Sequence, residues 1–179
     1  MRALAVFVLA AVVLACAGAA AGARGGVPTC QAANLGTWYG TQQGAAGTIL
    51  APYAFVNKGS SACSLIGFPK VAMLDSSGQP IATTDTHYRG FAGITRKLVV
   101  LAPGRRAYFG VLFPDFTGAG QATCPTAAAL ALTPPGSSQA VTLTGGGAEI
   151  TPYAGSHLKI GCGYLELTLV TAKGRPFGA

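Results

Sequence analysis

Short stretches rich in β-branched and aromatic residues, many of them alternating between apolar and polar positions, recur along the chain after residue 30. The clearest is TILAPYAFV at 48–56, which runs into the turn sequence NKGS. Another, at 106–113, follows the sequence APGR, in which Pro and Gly occupy the second and third positions of a type II turn. The pattern predicts strands at 35–41, 48–56, 70–74, 80–84, 97–101, 106–113, 128–133, 140–143 and 164–171. Residues 127–132 are alanine-rich and also fit a short helix that ends before two prolines.

These strands are short, separated by turns, and accompanied by no long helical period. Such a pattern is typical of an all-β domain, and we predict an immunoglobulin-like β-sandwich of about 8–9 antiparallel strands. We place the sandwich at 30–171, with a flexible entry segment at 24–29 and a flexible tail at 172–179. No internal repeat divides this region, so one domain is expected.

The first 23 residues read as an export signal. One positive charge at Arg2 precedes an apolar run at 3–15, which has the length of a signal-peptide core and is too short to span a membrane. Small residues that follow allow cleavage after Ala23. VLAC at 13–16 also partly resembles a lipobox, which would make Cys16 a lipidated first residue. Both outcomes predict an extracytoplasmic protein, secreted or in the cell envelope, without a transmembrane helix in the mature chain.

Charge narrows the classes of partner. The formal net charge is +7, and loss of Arg2 with the leader leaves +6. The basic residues are scattered among apolar runs instead of forming a continuous stripe, which argues against nucleic-acid binding. A positive balance of this kind favours contact with an anionic envelope surface.

Four cysteines remain after the leader, and they allow three disulfide connectivities. We favour Cys30–Cys63, which brackets the first hairpin, and Cys124–Cys162, which brackets the closing strands. Their spacing lacks the close pairs of zinc sites. A structural role is therefore predicted for all four, with no metal and no cofactor.

Several of these features together resemble a known family. CSLIGFPKV at 63–71 places a Gly-aromatic-Pro-x-Val motif shortly after a cysteine, and LAPG at 101–104 and two late cysteines follow. In this order they resemble the secreted and lipoprotein domain of unknown function 4232, common in actinobacteria. The resemblance covers about residues 30–171. It implies an exported, envelope-associated domain and supplies no catalytic residue.

Candidate chemistry in the chain is sparse. Asp85 and His87 lie two residues apart and would share a face if they were on a strand, which is the basis of a hydrolase alternative. The competing interpretation is an exposed loop between strands. We therefore predict no catalysis.

Binding is the class that remains, and loops at the ends of a sandwich commonly carry it. We predict partner-binding loops that contain the five residues Tyr88, Arg89, Phe91, Asp115 and Phe116. Phe113 belongs to the second loop unless it packs over the edge of the core. The predicted function is an exported envelope binding or accessory module for an unknown protein or envelope component. The alternative is a purely structural or adhesive envelope protein, anchored by lipid at Cys16.

Overall fold

The computed structural model describes residues 26–45, 47–88, 95–114, 127–144 and 164–174, and the description below concerns these residues. They form a short 3-10 helix, Ala32–Asn34, and twelve strands, as expected for an all-β chain. The strands are β1 (Leu35–Tyr39), β2 (Gln43–Ala45), β3 (Thr48–Asn57), β4 (Cys63–Leu65), β5 (Lys70–Leu74), β6 (Pro80–Ile81), β7 (Thr84–His87), β8 (Val99–Leu101), β9 (Arg106–Pro114), β10 (Ala129–Thr133), β11 (Val141–Thr144) and β12 (Tyr164–Leu167).

The strands form three sheets. A six-stranded sheet has the order β1-β3-β9-β12-β7, with β2 also paired to β3. A four-stranded sheet has the order β11-β10-β5-β6, and β4 pairs with β8 in a two-stranded sheet. The long antiparallel pair of β3 and β9 runs from Thr48↔Pro114 to Val56↔Arg106 and is the centre of the large sheet.

The prediction of about 8–9 antiparallel strands is wrong in two respects. The described residues alone contain twelve strands, because the prediction lacks β2, β4 and β7, whereas β6 lies within the predicted 80–84. Strands β2 and β4 have three residues each, too few to show an alternating pattern. In addition, β7 pairs with β12 in parallel. All four side chains of β7 are exposed, so no buried positions mark it as a strand, and backbone pairing decides its structure.

The last strand is shorter than the predicted 164–171 because the chain bulges between Thr168 and Thr171. Thr168 lies opposite Gly110, where the Thr168 backbone N–H donates to the Gly110 carbonyl oxygen. Thr171 lies opposite Tyr108, so three residue steps on one strand face two on the other. The Thr168 hydroxyl accepts a hydrogen bond from the Gly110 backbone N–H at 2.8 Å, which satisfies that buried donor at the bulge.

One hydrophobic core is shared by the sheets. The large sheet contributes Tyr53, Phe55 and Phe109, with ring centroids 5.8 Å apart for Tyr53 and Phe109 and 5.1 Å apart for Phe55 and Phe109. The four-stranded sheet contributes Met73 and Leu130 to the same cluster. Burial raises the pKa of the Tyr53 hydroxyl well above its ordinary value. The 127–132 region is strand β10, and the short-helix alternative is wrong, since pairing with β5 and β11 satisfies its backbone.

The predicted disulfide between Cys30 and Cys63 is present. It joins the entry of the domain to β4, beside a parallel bridge between Thr29 and Ser64. The other predicted pair, Cys124–Cys162, lies outside the described residues, as does Cys16.

Candidate ligand-binding face

The predicted partner-binding loops are only partly described. Tyr88 continues the β7–β12 ladder, since its backbone N–H donates to the Leu167 carbonyl oxygen at 2.9 Å. Arg89, Phe91, Asp115 and Phe116 lie outside the described residues, so this surface stays a prediction. Phe113 is buried in the core, which confirms the alternative in which it packs over the core edge.

Asp85 and His87 do share a face, but they lie on strand β7 and not in a loop. They pair with the buried residues Leu165 and Leu167 of β12. The His87 ring stacks on the Phe68 ring, with centroids 3.8 Å apart and planes inclined by 5°. The Asp85 carboxylate accepts a hydrogen bond from the Val71 backbone N–H at 3.3 Å. The two side chains therefore link the edge of the large sheet to the segment that begins β5.

Desolvation raises the pKa of Asp85 above its ordinary value, although the Val71 N–H and the nearby His87 and Lys70 act in the opposite direction. A carboxyl group whose pKa is raised by folding binds its proton more tightly in the folded state. Its ionisation therefore lowers stability as the pH rises from the ordinary pKa through the raised one. Asp75 behaves oppositely, because hydrogen bonds from the Ser77 hydroxyl and the Gln79 N–H lower its pKa.

We expect Asp85→Asn to gain stability relative to the wild type as the pH rises through this window. The amide keeps an oxygen for the Val71 N–H and loses the charge. Urea denaturation at a series of pH values measures the difference. Asp75→Asn is the matched control and should lose relative stability over the acidic range as the pH rises. A parallel trend for the two variants contradicts the assignment.

A second group of side chains lies on the other face of the large sheet, away from the core. Trp38 on β1 and Tyr108 on β9 meet edge to face, with ring centroids 5.6 Å apart and planes inclined by 85°. The guanidinium carbon of Arg106 lies 4.7 Å from the centroid of the Trp38 ring, a cation–π distance. Ala54 separates the two rings in register, because it pairs with both Trp38 and Tyr108.

Glycine residues of the large sheet lie directly next to two of these side chains, Trp38 and Lys58. A Cβ atom placed on Gly40 would lie 2.7 Å from the Trp38 ring and 3.2 Å from Cγ of Pro52, so both side chains lie close to the glycine. A Cβ atom on Gly36 would lie 2.8 Å from Cε of Lys58, so the lysine side chain crosses the sheet there. Strand alternation puts Gly36, Trp38 and Gly40 on one face. The two glycines thus leave space for the tryptophan ring and the lysine side chain close to the backbone of the sheet.

We call Trp38, Lys58, Arg106 and Tyr108 the aromatic–cationic face. Lys58 and Arg106 are exposed, while the two rings are half-buried. The described acidic residue on this side of the sheet is Glu166, which pairs with Leu112. Leu112 is six residues from Arg106 along β9, or about 20 Å. Positive charge beside partly open aromatic rings is an arrangement suited to an anionic ligand with an apolar surface.

Sequence reasoning missed this face. It described the basic residues only as scattered among apolar runs, and it assigned no role to Trp38. The spacing of Arg106 and Tyr108, two residues apart on a predicted strand, was an available signal. Their meeting with Trp38 was not, because it depends on the pairing of β3 with both β1 and β9.

Two further findings concern the described residues only. None of the helices there is long and apolar enough to cross a membrane. No group of three or more His, Cys, Asp or Glu side chains there is arranged to hold a metal ion.

Comparisons with known proteins give one match. A family model described as Domain of unknown function (DUF4232) matches residues 30–177. Neither the curated proteins nor the solved structures contain a match to this chain.

Proposed function

Because the chain belongs to the DUF4232 family, whose description assigns no activity, we propose from its geometry that it is an exported binding module for an anionic glycan of the cell envelope. The observation that carries the proposal is the aromatic–cationic face. An aromatic ring packs against the C–H face of a sugar ring, and guanidinium and ammonium groups bind phosphate or carboxylate substituents. Trp38 and Tyr108 supply the first contact, and Arg106 and Lys58 supply the second.

The position of these groups supports recognition more than simple packing. Outer faces of antiparallel sheets are usually polar, and a tryptophan there has no core to fill. Here the Arg106 guanidinium and the Tyr108 ring contact Trp38, and Gly40 lies close to one edge of its ring, so the orientation of the ring is fixed while the ring stays half-buried. A side chain held this way loses little conformational freedom on binding, which favours affinity.

Export and architecture belong to the same proposal. The apolar leader supports secretion, and the Cys30–Cys63 disulfide is typical of an oxidising, extracytoplasmic compartment. The core that the three mainly antiparallel sheets share supports an immunoglobulin-like arrangement. Intact mass of the protein from its native envelope gives the cleavage site, any lipid on Cys16 and the number of disulfides together.

Trp38 provides a direct test of glycan binding, because it is the single tryptophan of the chain. We expect dextran sulfate, a polyanionic glycan, to change the Trp38 fluorescence in a saturable titration. Uncharged dextran should cause no change, and polyphosphate, which has charge without sugar rings, should bind more weakly. Equal affinity for polyphosphate and dextran sulfate would contradict a glycan site.

Two double variants test whether dextran sulfate binding depends on the aromatic–cationic face or only on the net charge of the protein. Lys58→Gln with Arg106→Gln should weaken dextran sulfate binding about tenfold or more, since each charged hydrogen bond contributes about 1.5–3 kcal/mol. Arg96→Gln with Lys97→Gln removes the same charge elsewhere and should leave the affinity nearly unchanged. Equal losses in both double variants would mean that binding follows net charge. Absence of binding to all three polymers, with lipid on Cys16, would instead favour the structural or adhesive alternative.

A further inference from the structure

Exposed large apolar side chains are concentrated around the two-stranded sheet of β4 and β8. Among the described residues these side chains are Val27, Ile66, Leu98, Val100 and Tyr164. All but Tyr164 belong to β8, β4 or the segments that adjoin them. Leu98 is 58% exposed and Val100 is 51% exposed. Isolated apolar residues are ordinary on a surface, but a contiguous group indicates an interaction site.

Strand pairing puts these residues together. Ser64 pairs with Val100 and Leu65 with Val99, so continuing the register places Ile66 opposite Leu98. Leu65 and Val99 point into the core, and Leu98 and Val100 therefore point outward. The Ser64 hydroxyl donates to the Val27 carbonyl oxygen at 3.1 Å, which holds the entry segment beside the same face.

Positive charge borders this apolar group. Arg96 and Lys97 immediately precede Leu98, and both are exposed. The Arg96 guanidinium lies close to Gly67, the residue after Ile66, since a Cβ atom there would be 3.9 Å from its carbon. The segments 26–30, 63–67 and 95–101, which form this surface, contain no Asp or Glu. We call Val27, Ile66, Arg96, Lys97, Leu98 and Val100 the apolar–basic patch.

The N-terminal segment enters the domain at this patch. The Pro28 carbonyl oxygen accepts a hydrogen bond from the Ser64 backbone N–H at 2.8 Å. Val27 follows Cys16 by eleven residues, and an extended chain of that length reaches at most about 40 Å. Any group attached at Cys16 is therefore held within about 40 Å of Val27 in the patch.

From the charge, the exposed apolar side chains and this chain entry, we infer that the apolar–basic patch binds the surface of an anionic lipid bilayer. Apolar side chains enter the boundary between headgroups and acyl chains, while lysine and arginine pair with anionic headgroups. The inference rests on the proposed export only for the identity of the membrane that the protein contacts. It does not depend on glycan binding, because the patch and the aromatic–cationic face share no residue.

The test uses a chain that starts at Arg24, which contains every described residue and no lipid. We expect it to sediment with vesicles of phosphatidylcholine and phosphatidylglycerol, and not with pure phosphatidylcholine, and to be released by salt. Arg96→Gln with Lys97→Gln should weaken binding about 25-fold, from about fivefold per basic residue near an anionic surface. Leu98→Ser with Val100→Ser should also weaken it, with an unchanged melting temperature because both side chains are exposed.

Two controls separate this inference from others. Tyr164→Ser removes an equally exposed apolar side chain from β12 and should leave vesicle binding unchanged. Lys58→Gln with Arg106→Gln should do the same, although it weakens dextran sulfate binding. No binding of the wild-type chain to anionic vesicles, or equal losses in the patch and control variants, would overturn the inference. If the wild-type chain does not bind anionic vesicles but still binds dextran sulfate, the inference about the patch is wrong and the proposed function is unaffected.

Discussion

Replacing Asn57 by alanine is expected to lower the free energy of unfolding by about 3–5 kcal/mol, because three hydrogen bonds of a buried side chain are lost. Asn57 is 1% exposed at the end of β3. Its amide group donates to the Ser61 and Leu101 carbonyl oxygens at 2.9 Å, and its side-chain oxygen accepts from the Gly59 N–H. The side chain thus joins the turn after β3 to the end of β8, beside the backbone hydrogen bonds of Asn57 with Gly104 and Arg105.

Urea denaturation measures this loss. Asn34→Ala is the matched control, since Asn34 is exposed nearby and its backbone carbonyl, which accepts from the Lys58 N–H, is kept. We expect a change within about 0.5 kcal/mol for that control. A loss at Asn57 no larger than that at Asn34 would show that water replaces the missing amide.

Removing the disulfide by Cys30→Ala with Cys63→Ala should cost about 3–4 kcal/mol. The two cysteines are 33 residues apart, and on the chain-entropy model cross-linking a loop of this length restricts the unfolded chain by that amount. The variant also removes the covalent link between the entry segment and β4. The Thr29–Ser64 bridge and the adjacent hydrogen bonds would then be the remaining contacts between them. The expected result is a lower urea midpoint with an otherwise native fold.

A serine substitution at an exposed position, Thr95→Ser, is the control for handling and should leave the midpoint unchanged. Thiol alkylation and intact mass of the wild type establish the starting state. Four reactive thiols in the native mature protein would contradict both predicted disulfides, and an unchanged midpoint in the double variant would contradict the stabilising role of Cys30–Cys63.

Local sequence was sufficient for the strands with strong patterns. Residues 48–56 and 106–113 have enough apolar residues at alternate positions to indicate β3 and β9. The sequence APGR at 102–105 indicates the turn between β8 and β9. The turn at Asp75 is equally readable from the run DSSG at 75–78, because a carboxylate that accepts from the backbone N–H groups of Ser77 and Gln79 needs only neighbours in sequence. Local hydrogen bonding of this kind is readable without a fold.

Strand β7 shows where such reasoning fails. The sequence TDTHY at 84–88 has no alternation of apolar and polar residues, and this is why an exposed loop was a reasonable interpretation for His87. Its structure comes from the parallel ladder to β12, which lies about 80 residues later in the chain. The stacking of His87 on Phe68 likewise joins residues that no short motif connects.

The amino-acid sequence was enough for the all-β class, because alternation and turn residues are local properties. It favoured Cys30–Cys63 but left three connectivities open, and the structure shows that pair. Tertiary structure alone decided that Trp38, Lys58, Arg106 and Tyr108 form one face, and that Val27, Ile66, Leu98 and Val100 form another. Strand order and register bring together residues from three or more segments, and both depend on how the whole core packs. The proposed sites belong to that second kind of information.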